Sequence, residues 1–251
     1  MVLGQLNGLS VLITRPRDQA ESAAAYIVEQ GGSPLIFPTL EIQPIEPAGG
    51  WAQMLESFKN ADIAVFTSAN AVRHVMSQGF DIERRGAIAA IGTATHAALA
   101  EYRITCDWLP MKDYRSEGLL DLPIFQDIVG KKIILFAGEG GREYLQEVLA
   151  ERGAAVEKIA VYRRVCPDTD TVALEQFFAR KGAKVVLTTS VESLTNLQTL
   201  SAGVGDLHEL PLLVISERMA AVAKERGFKK IMVAENASSE AIVNALTSCR
   251  S

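Results

Sequence analysis

Ser10-Val11-Leu12-Ile13-Thr14 is a short apolar run, Asp18 to Gln30 follows it, and Gly31-Gly32 closes the segment. The run is long enough for one buried strand. In the following stretch Ala20, Ala23, Ala24, Ile27 and Val28 recur at helical spacing, and the glycine pair stops the helix. A strand, a helix and a stop in some twenty residues make one strand–helix unit, and the unit recurs along the chain. Ile63-Ala64-Val65-Phe66 precedes a helix from about Ala69 to Gln78, Ala87 to Ile91 precedes Thr93 to Glu101, and Ile133 to Phe136 precedes Glu143 to Arg152. Val185-Val186-Leu187 precedes Glu192 to Leu200, Leu212 to Ile215 precedes Met219 to Arg226, and Ile231-Met232-Val233 precedes Ser239 to Leu246. Strands alternating with helices of this length predict an α/β fold built on parallel sheet with right-handed crossovers.

A longer repeat overlies the short one. Phe66-Thr67-Ser68 matches Leu187-Thr188-Thr189-Ser190, with Ser68 and Ser190 122 positions apart. Ile91-Gly92-Thr93-Ala94-Thr95 matches the segment from Ile215 at an offset of 124, and Ser116-Glu117-Gly118-Leu119-Leu120 matches Ser239-Glu240-Ala241-Ile242-Val243 at 123. The opening unit from Val11 aligns with the one from Ile134, again at 123. Four matches in one order at nearly one offset make the chain two copies of one α/β half. Two stretches at equivalent places break the alternation. Pro34 to Ile42 is extended, with prolines that resist both a helix and a central strand. Glu157-Lys158-Ile159-Ala160-Val161-Tyr162-Arg163-Arg164-Val165 is extended as well.

The 251 residues allow one large domain or two small ones, each long enough to bury a core. Hydrophobic residues at 48% and charged residues at 22% exclude a disordered chain, a collagen and a disulfide-stapled miniprotein. A net charge of −5 argues against a basic nucleic-acid binder and leaves room for a local anion site. Cys106, Cys166 and Cys249 are widely spaced and odd in number, which disfavours a disulfide framework or zinc cluster and fits a reducing cytoplasm. Met1 to Leu6 carries no basic region ahead of an apolar core, so no signal peptide is expected. No apolar run approaches the roughly 20 residues of a membrane span. No unexplained apolar stripe appears, and a monomer is expected.

In an open parallel sheet, ligands bind beyond the carboxyl ends of the strands. Those ends carry Thr14-Arg15-Pro16, Thr67-Ser68-Ala69-Asn70, Gly92-Thr93-Ala94-Thr95, Gly138-Glu139-Gly140-Gly141, Thr188-Thr189-Ser190, Ser216-Glu217-Arg218 and Ala237-Ser238-Ser239. Each small hydroxyl residue precedes a helix and is also a capping residue. Taken together, several helix starts supply free N–H donors and positive dipole ends that suit a ligand with several carboxylates. Arg15, Arg17, Arg73, Arg142 and Arg218 are the basic residues near these ends.

Other chemistry is poorly supported. Gly138-Glu139-Gly140-Gly141-Arg142-Glu143 begins like a dinucleotide fingerprint, but Glu143 stands at the third glycine position, where its side chain would obstruct close helix–sheet packing. No phosphate-binding P-loop and no G-x-S-x-G elbow occur. His74, His96 and His208 lie far apart, without ligand spacing, and Cys166 beside Pro167 reads as a loop residue. No metal site is expected.

Val11-Leu12-Ile13-Thr14-Arg15-Pro16, Phe66-Thr67-Ser68-Ala69-Asn70-Ala71-Val72, Ile91-Gly92-Thr93-Ala94-Thr95, Ile159-Ala160-Val161-Tyr162-Arg163 and Ser238-Ser239-Glu240-Ala241 together resemble the uroporphyrinogen-III synthase family, over nearly the whole chain. The resemblance implies two flavodoxin-like (Rossmann-like) parallel-sheet lobes joined by a two-stranded β-ladder. Residues 1–36 with 168–251 would form one lobe, 45–158 the other, and 37–44 and 159–167 the linker strands. It implies cyclisation of hydroxymethylbilane, a linear tetrapyrrole with eight carboxylates, to uroporphyrinogen III, with loss of water and inversion of ring D and with no cofactor. The lobes would close about the ladder and shelter a reactive cation from water. Tyr162 matches the family tyrosine and would serve as proton donor or orienter of the leaving hydroxyl. Arg15, Ser68, Asn70, Thr93, Thr95, Ser116, Gly138, Ser190, Ser216, Ser238 and Ser239 would hold carboxylates. Glu217-Arg218-Met219 departs from the small-residue turn the family often has there, and Glu217 would repel a carboxylate.

Two other readings make distinct predictions. A non-catalytic two-lobed binding protein for an acidic small molecule predicts saturable binding without product. A nucleotide-dependent enzyme using the Gly138 loop predicts binding of NAD, FMN or ATP.

Overall fold

The computed structural model describes residues 5–79, 86–141 and 143–248. Arg142, Cys249 and the start of the N-terminal segment, Met1 to Gly4, named above, lie outside the described residues.

The first half runs β1 (Ser10–Ile13), α1 (Arg17–Glu29), β2 (Ser33–Ile36), β3 (Glu41–Pro44), α2 (Gly50–Asn60), β4 (Ile63–Phe66), α3 (Ala69–Met76), β5 (Ala87–Ala90), α4 (Thr93–Glu101) and α5 (Ser116–Leu120). The second runs β6 (Lys132–Gly138), α6 (Tyr144–Glu151), β7 (Ala155–Val165), α7 (Val172–Ala179), β8 (Lys184–Leu187), α8 (Val191–Leu200), β9 (Leu212–Val214), α9 (Glu217–Glu225), β10 (Ile231–Val233) and α10 (Ser239–Ser248). Two compact units result: Met1–Glu41 with Val165–Ser251, and Ile42–Arg164.

The first unit holds a five-stranded sheet in the order β10-β9-β8-β1-β2. Its strands pair in parallel, with Ile13 opposite both Leu187 and Ile36. Alternation along each strand feeds two cores. Val11, Ile13, Val185 and Leu187 pack on one face with α1 and α10, through Ala20, Ile27, Ile242 and Leu246. Leu12, Val186 and Val214 pack on the other with α7, α8 and α9, through Phe177, Leu197 and Met219. Pro34 is tolerated because β2 is the edge strand. Ser33 and Phe37 donate their N–H groups to Leu9 O, just before β1, and to Ile13 O, so alternation turns the missing N–H of Pro34 outward.

The second unit holds the order β3-β7-β6-β4-β5. Ala64, Phe66, Ile134 and Phe136 face α2, α3 and α4, while Ile63, Val65, Ile133 and Leu135 face α5 and α6. Phe66 and Phe136 stack with ring centroids 4.8 Å apart. The Ile45 N–H donates to Val161 O and the Arg163 guanidinium to Gln43 Oε1, so β3 lies antiparallel to β7. The expected linker stretches 37–44 and 159–167 include β3 and the end of β7, with 37–40 and 166–167 outside any strand.

The long repeat is visible in both sheets. β2-β1-β8-β9 and β7-β6-β4-β5 are the same arrangement, with the chain entering at a different strand. Each sheet combines the first strand–helix–strand of one copy with later strands of the other. The fifth strand, β10, has only a trace of a counterpart. Trp108 stands 123 positions before Ile231 and forms a single bridge with Ala89.

Some expectations need correction. Val28 is 57% exposed, although Ala20, Ala23, Ala24 and Ile27 are buried. At about 100° per residue, position 28 lies about 80° from Ala20 and about 100° from Ile27, at the margin of the stripe. The helices α2 and α7 add to the pattern read from the sequence. Each buries few side chains, Met54 and Phe58 in one and Leu174 and Phe177 in the other, too few for a clear period. Among the described residues no helix is long and apolar enough to cross a membrane.

Candidate active site

In a sheet of strand order 2-1-3-4, the chain runs off in opposite directions from strands 1 and 3, and a crevice opens beyond their carboxyl ends. In the second unit those strands are β6 and β4. An open pocket with about 670 Å³ of empty space lies there, lined by Thr67 and Ser68 after β4, Gly138, Gly140 and Gly141 after β6, and Lys158, Tyr162 and Arg164 of β7. Ile91, Leu135, Ala137 and Leu145 give it an apolar wall, and Ser116 and Gln146 complete the lining.

Tyr162 reaches this place through an irregularity in β7. Ala137 faces Ala160, but Gly138 faces Tyr162, so the register skips Val161. The tyrosine is 1% exposed, and its ring lies against the backbone of Gly138. A Cβ at 138 would stand 2.7 Å from Tyr162 Cζ and 2.9 Å from its hydroxyl oxygen, closer than real Cβ contacts come. Glycine at 138 therefore makes room for the tyrosine ring. The Glu139 N–H ties the same point to the Tyr162 carbonyl at 2.7 Å.

The phenol oxygen is surrounded by donors. Ser68 caps α3: its Oγ accepts from the Ala71 N–H at 3.1 Å and donates to the Tyr162 hydroxyl at 3.1 Å. Arg164 donates to the same oxygen at 3.3 Å, and its guanidinium lies 5.7 Å from the ring centroid. With its oxygen accepting two hydrogen bonds, the hydroxyl has its own proton left to give. His74 of α3 packs its ring 5.8 Å from the tyrosine ring, and burial pushes the pKa of this imidazole below its ordinary value.

Of the residues expected to hold substrate, Ser68, Ser116 and Gly138 meet around this pocket with Tyr162. Ser116 begins the five-residue α5. Asn70 lies in the first turn of α3, half-buried, and Thr93 is exposed at the start of α4. Thr95 is buried on the inner side of α4. None of these three lines the pocket. Lys158 and Arg164 line it, although neither stands among the residues expected from the sequence to hold substrate. The sequence shows only that they lie in one extended segment with Tyr162; the register skip at Val161 breaks simple alternation along β7.

The first unit has the equivalent strand ends at β1 and β8. Arg15 leaves β1 there and donates from Nε to Thr189 Oγ1 at 3.3 Å and from a terminal nitrogen to Ala237 O at 3.0 Å. One guanidinium thus ties three strand ends together, and burial lowers its pKa from the ordinary arginine value. Among the described residues Arg15 makes no ion pair. Ser190 and Ser216 cap α8 and α9 through the N–H groups of Ser193 and Met219. Ser238 Oγ accepts from the Ala241 N–H, and Ser239 begins α10. Glu217 and Arg218 are exposed.

Glu143 is exposed and does not obstruct helix–sheet packing as expected; its carboxylate is 3.9 Å from Lys158 Nζ. Arg73 pairs with Glu101 at the surface. Cys166 is exposed, and desolvation of its sulfur raises the thiol pKa, the opposite of nucleophile activation. Among the described residues no group of three or more His, Cys, Asp or Glu is placed to hold a metal ion.

The family model for uroporphyrinogen-III synthase HemD matches residues 21–244. The chain is 31% identical over 245 residues to the uroporphyrinogen-III synthase of Escherichia coli K12, covering 95% of this chain and 100% of that protein. It is 32% identical, with the same coverage, to the one from Salmonella typhimurium LT2. Among solved structures it resembles the uroporphyrinogen-III synthetase of Helicobacter pylori 26695, with a TM-score of 0.66 at 14% identity, covering 96% of this chain and 100% of that one. A uroporphyrinogen III synthase mutant from Thermus thermophilus gives a TM-score of 0.64 at 19% identity, with 97% and 99% covered. At these identities the solved structures speak for the fold.

Proposed function

This chain belongs to the uroporphyrinogen-III synthase family, and from that premise we propose that Tyr162 supplies the proton that starts the reaction. The enzyme cyclises hydroxymethylbilane to uroporphyrinogen III, with loss of water and inversion of ring D. The hydroxyl of the substrate's hydroxymethyl group leaves as water once its oxygen is protonated, and the methylene carbon stays on the ring. The pyrrole nitrogen pushes electrons to replace the broken bond, which gives an azafulvene cation. Attack by the substituted carbon of ring D gives a spiro intermediate that fragments and recloses through the free α-carbon of that ring, and loss of the proton on that carbon restores the pyrrole and balances the proton given at the start. Because the substrate provides the electron push, the protein has to donate one proton, fold the chain and favour the hindered carbon.

One observation carries this reading: the oxygen of Tyr162 accepts from Ser68 and Arg164. Both donors bear on the charge left behind when the proton goes, and they are in place before it develops. In the same proposal the carboxylates are held by Ser68, Asn70, Thr93, Ser116 and the Gly138 turn in the second unit, and by Arg15, Ser190, Ser216, Ser238 and Ser239 in the first. Thr95 acts behind them, from its buried place in α4. β3 and the end of β7 serve as the two-stranded linker. The enzyme works in the cytoplasm as a monomer, without cofactor or nucleic-acid partner. The net charge of −5 supports the last point, and sedimentation as one species near 27.1 kDa tests the monomer.

The test is a coupled assay in which hydroxymethylbilane is generated in situ and the oxidised porphyrin isomers are separated. The unmodified enzyme yields mainly the type III isomer, whereas spontaneous closure yields type I. Tyr162→Phe lowers kcat/KM by about a hundredfold, within the usual range for loss of a general acid. Type I product at the blank rate from folded protein overturns the function, and a Tyr162→Phe variant with undiminished kcat/KM overturns the role.

A further inference from the structure

Among the described residues the pocket beside Tyr162 has two charged lining residues, Lys158 and Arg164, and both are positive in a chain of net charge −5. Arg164 is occupied with the tyrosine oxygen. Lys158 is in a different position. Its side chain is only 19% exposed. Among the described residues its ammonium group meets Gly140 O at a long 3.5 Å and the exposed carboxylate of Glu143 at 3.9 Å, too far for a hydrogen bond. An ammonium group has three donors, and withdrawing it from water is costly unless they are used. Lys158 lines a pocket whose wall, Ile91, Leu135 and Leu145, is apolar and suits the face of a flat ring.

We propose that Lys158 is a specificity-determining residue that pairs with a ring carboxylate of the tetrapyrrole, the pyrrole lying on the Ile91–Leu135–Leu145 wall with its reacting end toward Tyr162. This rests on the function proposed above and names one contact of that site. Lys158 reads the acidic arm of the ring while Tyr162 acts on the leaving group, and β7 carries both residues. The pocket therefore distinguishes tetrapyrroles by the acetate and propionate groups they bear.

The experiment measures binding of two probes by fluorescence: uroporphyrin III, with eight carboxylates, and coproporphyrin III, in which each acetate is a methyl group. The unmodified protein prefers uroporphyrin III. In Lys158→Ala that preference falls about tenfold, the scale of one charge-assisted contact, and in Lys158→Arg it is restored. Lys131→Ala removes the same charge from an exposed residue paired with Asp62, and it leaves the preference intact. An undiminished preference in Lys158→Ala overturns the proposal. So does an equal loss in Lys158→Arg or Lys131→Ala, since those outcomes reflect packing or net charge. The coupled assay separates this from the premise: type III product from a protein whose preference ignores Lys158 sinks the subsite alone, and type I product with a Lys158-dependent preference sinks the enzymatic reading alone.

Discussion

At position 138 one methyl group decides whether Tyr162 can stay where it is. The ring occupies the space that a side chain would fill, with Cζ 2.7 Å from the ideal Cβ site. Gly138→Ala must push the ring or the turn away, and the hydrogen bonds from Ser68 and Arg164 to the phenol oxygen go with it. We expect type III synthesis to fall nearly as far as in Tyr162→Phe, while the melting temperature drops only modestly because the strain is local. Full activity in the Gly138→Ala variant would show that the ring's resting place is not the one used in the reaction. The glycine stands out in the sequence for a different reason, as the start of an apparent dinucleotide loop. Its relation to the tyrosine is illegible there, because it depends on a register that skips Val161.

At the scale of elements, the packing of α3 on β7 has a pH signature. Burial against the Tyr162 ring depresses the pKa of His74 below its ordinary 6.5. The unfolded chain then takes up a proton first as the pH falls, so the folded state is penalised. The contribution is complete above about pH 6.5, the unfolded value, and is lost as the pH falls through the folded-state pKa. Chemical denaturation at stepped pH should show the unmodified protein losing stability relative to His74→Gln as the pH is lowered from about 7 toward 5. A difference that stays flat over that range would mean the ring is not held neutral by its packing. The elements differ in how far the sequence reveals them. Continuous apolar runs such as Ile63-Ala64-Val65-Phe66 mark the central strands, because both of their faces are buried. The helices α2 and α7 leave little pattern. Lys158 and Arg164 lie within a segment correctly read as extended, but which face meets the pocket follows from pairing with β6, which no local pattern encodes.

For the whole molecule, the duplicated sequence has a thermodynamic consequence. Each unit has its own sheet with helices on both faces and its own buried clusters, so each meets the physical requirement for folding as a body. The repeat offset announces this duplication, but the strands each copy gives to each sheet emerge only from their order. Phe177 belongs to the first unit and is fully buried among Leu12, Val186, Leu194 and Leu197. Phe177→Ala removes that contact and leaves a void, at a cost of about 3–5 kcal/mol. Because the loss lies in one core, native-state hydrogen exchange should accelerate at the amides of β1, β8 and β9. Exchange at β4, β5 and β6 should stay close to that of the unmodified protein. Equal acceleration in both sheets would mean that the chain unfolds as one cooperative body, and that the separate cores confer no separate stability. A reaction needing one proton donor and many carboxylate contacts suits such a build. The surroundings of Tyr162 are assembled within the second unit alone, from β4, β6 and β7, so damage to the first unit's core should reach Tyr162 only through global unfolding.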